Sequence, residues 1–259
     1  TTSVTDEKEQ YVVTPQPPTI KTTATDGSDG DKVLASHGPV TINDNVCYTG
    51  LTVGKSYDLR GSLQNAANGT PIVDADSKPV TATSTFTPEA KDGCTDVVFK
   101  FDGALIAGQK TVVFEDLYLD GVLVTSHADI TDEGQTVETP KGPELSTTAT
   151  DGKDGDKVVT PEKEVTINDK VCYEGVIPDT EYVVSGTLMD KATKKPVQVN
   201  GKDVTASATF TPDKADGCTN VSFTFDGTSL AGHETVVFED LTKDDVVVAT
   251  HSDINDKGQ

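Results

Sequence analysis

The stretch "VTINDNVCY" (residues 40–48) recurs 125 residues later as "VTINDKVCY" (residues 165–173). In both copies the residues at every second position lie on one face, and this period of two is typical of a β-strand with one face toward a core. Further segments recur at lags of 125 or 124 residues, among them "TTATDGSDGDK" with "TTATDGKDGDK" and two identical copies of "TVVFEDL". Such self-similarity predicts two homologous domains in tandem.

Within each repeat, short alternating segments such as "KSYDLRGSL" and "VTATSTFTP" are separated by Gly, Asp, Asn and Pro. No segment has a convincing helical period. The pattern predicts an all-β fold of two tandem Ig-like antiparallel β-sandwich domains, over residues 16–140 and 141–259. The opening "TDEKEQYVVTP" (5–15) reads like "TDEGQTVETP" (131–140), so we expect residues 1–15 to be the tail of a preceding repeat and a linker.

The charge balance argues against two classes of partner. With 21 basic and 43 acidic residues the net charge is -22, which repels phosphate backbones and anionic lipid. There is also no apolar run near the roughly 18 residues that a membrane span requires. We therefore expect neither nucleic acid nor membrane as a partner.

Each repeat carries one pair of cysteines, Cys47 with Cys94 and Cys172 with Cys218. One pair per domain predicts intradomain disulfides. Because Val46 and Tyr48 share the opposite face of their strand, the disulfide should pin the outer face of a sheet. The spacing of the pairs fits no zinc motif, so we expect no metal and no cofactor.

Strand alternation also directs recurring polar residues toward each interior. We place His127 and His251 inward because they are in step with Leu123 and Val247. Burying a carboxylate costs several kcal/mol unless it is paired or neutralised, so two carboxylates in one domain need a reason. A half-solvated position at strand ends is the alternative. The inward set is Thr22, Asp44, Glu115 and His127 in the first repeat and Thr147, Asp169, Glu239 and His251 in the second.

The segments "HADITDEGQ" (127–135) and "HSDINDKGQ" (251–259) add a recurring glutamine. A Gln side chain carries an acyl carbon, and a Thr hydroxyl activated by a neutral His can attack one. Two neighbouring buried carboxyls tend to share a proton, and the protonated member can then donate to the amide oxygen. The set can therefore form a Thr–Gln ester with release of ammonia.

These motifs, together with "VVFE" (112–115 and 236–239), resemble the Thr–Gln ester-bond domains, or VaFE repeats, of Gram-positive surface adhesins. The resemblance covers nearly all of both repeats. It implies autocatalytic, single-turnover cross-linking, which is not enzymatic activity in the ordinary sense. It implies esters from Thr22 to Gln135 and from Thr147 to Gln259, bases at His127 and His251, and proton-sharing pairs Asp44–Glu115 and Asp169–Glu239.

The same resemblance implies where such a chain works. We expect stalk repeats of an adhesin that is extracellular and anchored to the cell wall of a Gram-positive bacterium. The expected partners are neighbouring repeats of the same chain and a host ligand, bound through a tip domain outside this chain. We expect the chain itself to be a monomer.

Two alternatives remain open at this stage. An isopeptide-bonded pilin domain would use a lysine, and Lys32 and Lys157 recur in the right region. The acidic loops "DGSDGDK" and "DGKDGDK" suggest calcium binding, although Asp-Gly is first a turn signal. A Ser–His–Asp hydrolase is disfavoured because no Ser recurs in a nucleophile-elbow context.

Overall fold

The computed structural model describes residues 16–259, and the expected tail at residues 1–15 lies outside them. Within the described range the only helical elements are three 3-10 turns, at Gly103–Ile106, Glu133–Gln135 and Thr228–Leu230. None of these helices is long and apolar enough to cross a membrane. All other regular structure is β-strand, so the predicted all-β class is confirmed.

The first repeat forms two antiparallel sheets. One has the strand order β1-β2-β5, and the other has the order β4-β3-β6-β7, with β8 also paired to β6. The strands are β1 (Thr19–Asp26), β2 (Pro39–Thr49), β3 (Tyr57–Asn65), β4 (Thr81–Phe86), β5 (Gly93–Asp102), β6 (Lys110–Leu119), β7 (Val122–His127) and β8 (Thr136–Glu138).

The second repeat follows the same plan. One sheet has the order β9-β10-β16, and the other has the order β12-β11-β17-β18 with β15 also paired to β11. The strands are β9 (Glu144–Asp151), β10 (Val165–Glu174), β11 (Tyr182–Asp190), β12 (Lys195–Pro196), β13 (Gln198–Val199), β14 (Lys202–Asp203), β15 (Thr205–Phe210), β16 (Gly217–Phe225), β17 (Thr235–Lys243) and β18 (Val246–His251).

By packing, the described residues divide into two compact units. One comprises residues 16–32, 41–101 and 110–137, and the other comprises residues 33–40, 102–109 and 138–259. Three short segments of the first repeat are therefore grouped with the second unit, residues 33–40, 102–109 and 138–140. The domain limits expected from the sequence, 16–140 and 141–259, stay a prediction.

Alternation along β2 sorts its side chains as the sequence predicts. Ile42, Val46 and Tyr48 are buried on the inner face, and Cys47 points to the other side. Cys47 forms a disulfide with Cys94 of the adjacent strand β5. The equivalent disulfide in the second repeat joins Cys172 of β10 to Cys218, its directly opposite partner on β16. Both predicted disulfides are confirmed, and both tie neighbouring strands from outside the core.

The core of the second repeat lies between its two sheets. Its centre is formed by apolar side chains of strands β10, β11, β16 and β17. Its fully buried members include Val171, Tyr182, Val184, Leu188, Phe223 and Leu241. The sheets approach so closely that β11 carries a glycine, Gly186, against the ring of Phe223.

The first repeat has the same close approach at Gly61 of β3. A Cβ atom there would lie 2.4 Å from Cζ of Phe99 and 2.4 Å from Oε1 of Glu115. No real Cβ atom makes such contacts, so the inner face of β3 accepts only glycine beside Glu115.

We expect Gly61→Ala to destabilise the first repeat by about 1–3 kcal/mol, the usual cost of overpacking a well-filled interior. Gly142→Ala is the matched control, because a Cβ at Gly142 meets nothing within 4 Å. Urea unfolding of the two variants checks this. Equal midpoints would show that β3 has more room than the structure gives it.

Candidate functional site: a buried Thr, Gln and carboxyl cluster

Strand β1 carries the threonine of the site. Ile20, Thr22 and Ala24 alternate on the buried face, whereas Thr23 is exposed. In the antiparallel register Ala24 lies opposite Asp44 of β2, so Thr22 and Asp44 share the inner face of one sheet. In the second repeat Thr147 is buried, Thr148 is exposed, and Ala149 lies opposite Asp169.

The facing sheet supplies the second carboxyl and the histidine. Glu115 of β6 is buried and lies directly opposite His127 of β7. Glu239 of β17 is likewise buried and opposite His251 of β18. The histidines are only partly buried, at the ends of their strands.

The predicted reason for the histidine placement is wrong. Leu123 is 51% exposed and Val247 is 52% exposed, so neither marks an inward face. In each hairpin the register shifts, between Leu117 and Tyr118 in the first repeat, and this irregularity reverses the alternation along β7. His127 therefore faces Glu115 because of a bulge that the sequence pattern does not reveal.

A 3-10 turn, Glu133–Gln135, presents the glutamine of the first repeat. Asp132 precedes this turn and its Oδ1 accepts a hydrogen bond from the backbone N–H of Gly134 at 2.7 Å. The Gln135 side chain is fully buried, and its Nε2 donates to the backbone carbonyl of His127 at 3.4 Å. The 3-10 turn thus directs the side-chain amide of Gln135 into the sandwich instead of toward solvent.

Asp132 also pairs with the histidine, a contact that strand alternation does not predict. His127 Nε2 lies 3.0 Å from Asp132 Oδ2. In the second repeat His251 Nε2 lies 2.7 Å from Asp256 Oδ2. The available signal was the aspartate that recurs five residues after each histidine.

Burial strongly favours the protonated forms of the carboxyl pair. It raises the pKa of Glu115 to about 10, helped by the negative charge of Asp44. Burial also raises the pKa of Asp44, to about 6, although its interactions with Glu115, Thr22 and Lys32 counteract the rise. At neutral pH the pair therefore holds a single shared proton.

The second repeat brings the glutamine amide against the threonine. Gln259 Nε2 contacts Thr147 Oγ1 and donates to Glu239 Oε2 at 2.8 Å. Burial, with Asp169 beside it, raises the pKa of Glu239 to about 10. The nitrogen of the amide therefore meets both a hydroxyl and a carboxyl that carries a proton at neutral pH.

Several polar atoms of the first cluster are buried without a hydrogen-bond partner among the described residues. They are Thr22 Oγ1, Gln135 Oε1 and the carboxyl oxygens of Asp44 and Glu115. Each such atom costs about 1–3 kcal/mol, and native proteins contain few of them. Four neighbouring side chains that each bury an unpaired polar atom indicate a functional site, because stability alone would not favour such an arrangement.

Within the described residues the histidine ring makes no hydrogen bond with the threonine hydroxyl. His127 pairs through Nε2 with Asp132, and its Nδ1 is without a partner. In the second repeat both ring nitrogens are engaged, Nε2 with Asp256 and Nδ1 with the carbonyl of Leu145 at 3.3 Å. The hydroxyl of Thr22 lies near enough to Asp44 to lower the pKa of that carboxyl, although the two groups make no hydrogen bond.

The acidic loops group three carboxylates in each repeat. Oxygen atoms of Asp26, Asp29 and Asp31 lie within 4.8 Å of one another. Asp26 Oδ1 accepts from Ser28 N at 2.7 Å, and Asp29 Oδ1 accepts from Asp31 N at 3.0 Å. These bonds are those of Asx turns, which account for the recurring Asp-Gly pattern.

The fold and the cluster together define a class of protein. Its members are tandem Ig-like sandwiches in which a threonine of the first strand and a glutamine of the last segment meet beside a carboxyl pair. The sequence matches the family of T-Q ester bond containing domains over residues 18–139 and 143–259. The chain belongs to this family. None of the curated proteins matches the sequence.

Solved structures are similar at low sequence identity. A bacterial adhesin from Mobiluncus mulieris, containing intramolecular disulfide, isopeptide and ester bond cross-links, is 16% identical, with 88% of this chain and 81% of that chain covered and a TM-score of 0.41. The C-terminal domain of the antigen I/II-family protein AspA of Streptococcus pyogenes is 9% identical, with 89% and 97% covered and a TM-score of 0.41. A major pilin subunit of Bacillus cereus is 14% identical, with 90% and 60% covered and a TM-score of 0.33.

The raised pKa values of Glu115 and Glu239 predict the pH dependence of stability in a chain that lacks both threonine hydroxyls, Thr22→Val with Thr147→Val. Each folded repeat keeps a proton that the unfolded chain releases near pH 4.5, the ordinary value for Glu. The unfolding free energy should therefore fall as pH rises above that value, by at most about 1.4 kcal/mol per pH unit for each group.

Urea unfolding between about pH 5 and pH 9 measures this fall. Adding Glu115→Gln and Glu239→Gln should flatten the curve, because a neutral amide has no proton to lose. The remaining slope reports the other acidic residues, which are the same in both chains. Identical slopes with and without the two glutamines would contradict the assignment of the proton.

Proposed function

We propose that each repeat forms an intramolecular ester between its buried threonine and glutamine, Thr22 with Gln135 and Thr147 with Gln259. The observation that carries the proposal is in the second repeat, where the amide nitrogen of Gln259 contacts Thr147 Oγ1 and Glu239 together. Nucleophile, acyl donor and proton donor are thus within reach of one another in a buried site.

The reaction replaces one bond at the acyl carbon with another. Thr22 Oγ bonds to Cδ of Gln135, the Cδ–Nε2 bond breaks, and the nitrogen leaves as ammonia after gaining one proton, which the hydroxyl replaces through the carboxyl pair. Asp44 in its ionised form, beside the hydroxyl, takes the hydroxyl proton. Glu115 gives its own proton to the departing nitrogen and is reprotonated from Asp44, so the pair ends as it began and no cofactor is consumed.

This scheme moves the role of base from histidine to aspartate. His127 was expected to activate the hydroxyl, but its ring pairs with Asp132 instead. Asp132 in turn caps the turn that presents Gln135. We assign the His127–Asp132 pair to holding this turn, with the backbone carbonyl of His127 receiving the amide N–H of Gln135.

Folding takes the place of substrate binding in this chemistry. The two reacting side chains lie 113 residues apart in sequence (135 − 22), and only the closed sandwich brings them together. The reaction occurs once per domain, so the chain is not an enzyme that turns over. Because the finished ester is buried, water is excluded from the bond that it would otherwise hydrolyse.

The cross-link would carry tension between the first strand and the last segment of each repeat. Force that enters at β1 and leaves after Gln135 passes through the ester instead of separating the strands. Closing a loop of about 100 residues also stabilises the folded state by roughly 4.7 kcal/mol in the loop-entropy estimate. These properties suit stalk repeats of a surface adhesin, outside the cell and attached to the cell wall, whose partners are neighbouring repeats and, through another domain, a host ligand. The two disulfides are consistent with an extracellular location.

Intact-mass spectrometry of the folded chain tests the ester directly. We expect a loss of two ammonia molecules beyond the hydrogens lost to the disulfides, and Thr22→Val should lose only one. Thr23→Val is the matched control, because Thr23 is the exposed neighbour on the same strand and should leave both losses in place. Thr22→Val should also lower the unfolding free energy of its repeat by several kcal/mol, in line with the roughly 4.7 kcal/mol estimate.

The mass experiment also separates the competing cross-link. Hydroxylamine should cleave both ester bonds, whereas an isopeptide bond would resist it. An isopeptide to an aspartate would also form with loss of water in place of ammonia. An unmodified mass for both repeats in folded protein would sink the proposal.

The proton-sharing pair makes a second prediction. Asp44→Asn removes the proton acceptor and Glu115→Gln removes the donor, so each should slow ammonia release from the first repeat by about 10²–10⁴-fold. The second repeat of the same molecule reports correct folding and is the internal control. If both variants cross-link at the rate of the unmodified chain, the carboxyl pair has no part in the reaction.

A further inference from the structure

A lysine bridges the first strand and the glutamine turn in the first repeat. Lys32 Nζ donates to the backbone carbonyl of Ala24 at 2.5 Å and to that of Gly134 at 2.6 Å. Ala24 follows Thr22 by two residues on the same buried face, and Gly134 immediately precedes Gln135. One ammonium group therefore connects the two backbone segments that the ester would join.

The second repeat repeats the contact at the glutamine turn. Lys157 Nζ donates to the backbone carbonyl of Gly258, the residue before Gln259. The same carbonyl accepts from the backbone N–H of Ala149 at 3.1 Å, which ties it to strand β9 two residues after Thr147. In both repeats the carbonyl next to the reactive glutamine is thus fixed by a lysine.

The lysine also adds a positive charge to an acidic site. Lys32 is half-buried, and burial lowers its pKa while Asp44 and Asp132 counteract the change. In return its charge lowers the pKa of Asp44. The other titratable groups that act on Asp44 are Glu115 from the facing sheet, which lowers the pKa of Asp44, and Asp96 from β5, which raises it. Lys32 is the cation acting on this carboxylate within the described residues.

We propose that Lys32 and Lys157 are positioning residues for ester formation, which hold the glutamine turn over the threonine strand, and that the charge of Lys32 also keeps Asp44 ionised so that it can accept a proton. The proposal rests on the function proposed above. It also gives the recurring lysines a role other than isopeptide formation, because their hydrogen bonds go to main-chain carbonyls.

The test follows ammonia release by intact mass while the chain refolds from urea under oxidising conditions, at a series of pH values. Thr147→Val is present throughout, so that only the first ester can form. The compared variants are Lys32→Met, which keeps the length of the side chain without its charge, Lys32→Arg, and Lys21→Met. Lys21 is exposed on the opposite face of β1 and serves as the matched control.

We expect Lys32→Met to slow ester formation about tenfold or more, since small misplacements of reacting groups cost up to 10²-fold. The low-pH limb of its rate profile should move to higher pH, because Asp44 without its cation releases its proton less readily. Lys32→Arg should restore the position of that limb, and Lys21→Met should match the unsubstituted chain. A merely structural role would slow the reaction without moving the limb.

The outcomes separate this inference from the proposed function. If the chain with Lys32 intact loses no ammonia, the ester itself fails. If that chain reacts and Lys32→Met shows the same rate, or a slower rate with an unmoved limb, the positioning role is overturned. Should Lys32→Met not fold, Lys157→Met in a Thr22→Val chain tests the positioning role at an exposed lysine by rate alone, and an unchanged rate there overturns it.

Discussion

The first repeat depends on two carboxyl groups that its fold buries together and whose pKa values are both raised. Asp44 comes from one sheet and Glu115 from the other, so closing the sandwich brings them together. Burying either one as an isolated anion would cost several kcal/mol. One shared proton lowers that cost and leaves a proton acceptor beside a proton donor, which is what exchange of an amine for an alcohol at an acyl carbon requires.

The surrounding structure serves this pair. Gly61 lacks the Cβ atom that would clash with Glu115, so the carboxyl can pack directly against the backbone of β3. The disulfides lie on outer faces, away from the carboxyl pair. The glutamine reaches the pair from a short turn capped by Asp132. A buried glutamine on a turn is unfavourable unless its amide finds partners, and the oxygen of Gln135 has none in the described residues. The folded repeat therefore holds an unsatisfied amide oxygen in its interior, at the acyl group that the proposed reaction would use.

Much of this arrangement follows from the sequence, because a period of two is a strong signal in long strands. Alternation along β1 and β2 predicts that Thr22 and not Thr23 faces the core, and that Asp44 does too, as the structure has them. It fails along β7, where a shift in register reverses the faces and leaves Leu123 exposed. Alternation also says nothing of contacts made by turns, so it predicts neither the pairing of Asp132 with His127 nor the bond from Lys32 to the carbonyl of Gly134.

The same geometry bears on why the reaction would run in one direction. Hydrolysis of the ester needs a water molecule where ammonia has left, at the carboxyl pair that promoted the forward step. That pair lies between two packed sheets, and the backbone around the glutamine is held by the lysine and by the capped turn. Admitting water would require these contacts to open together while the ester still joins strand to turn. The proposed ester would therefore help to hold closed the structure that keeps water away from it, and the carboxyl pair could not promote its hydrolysis.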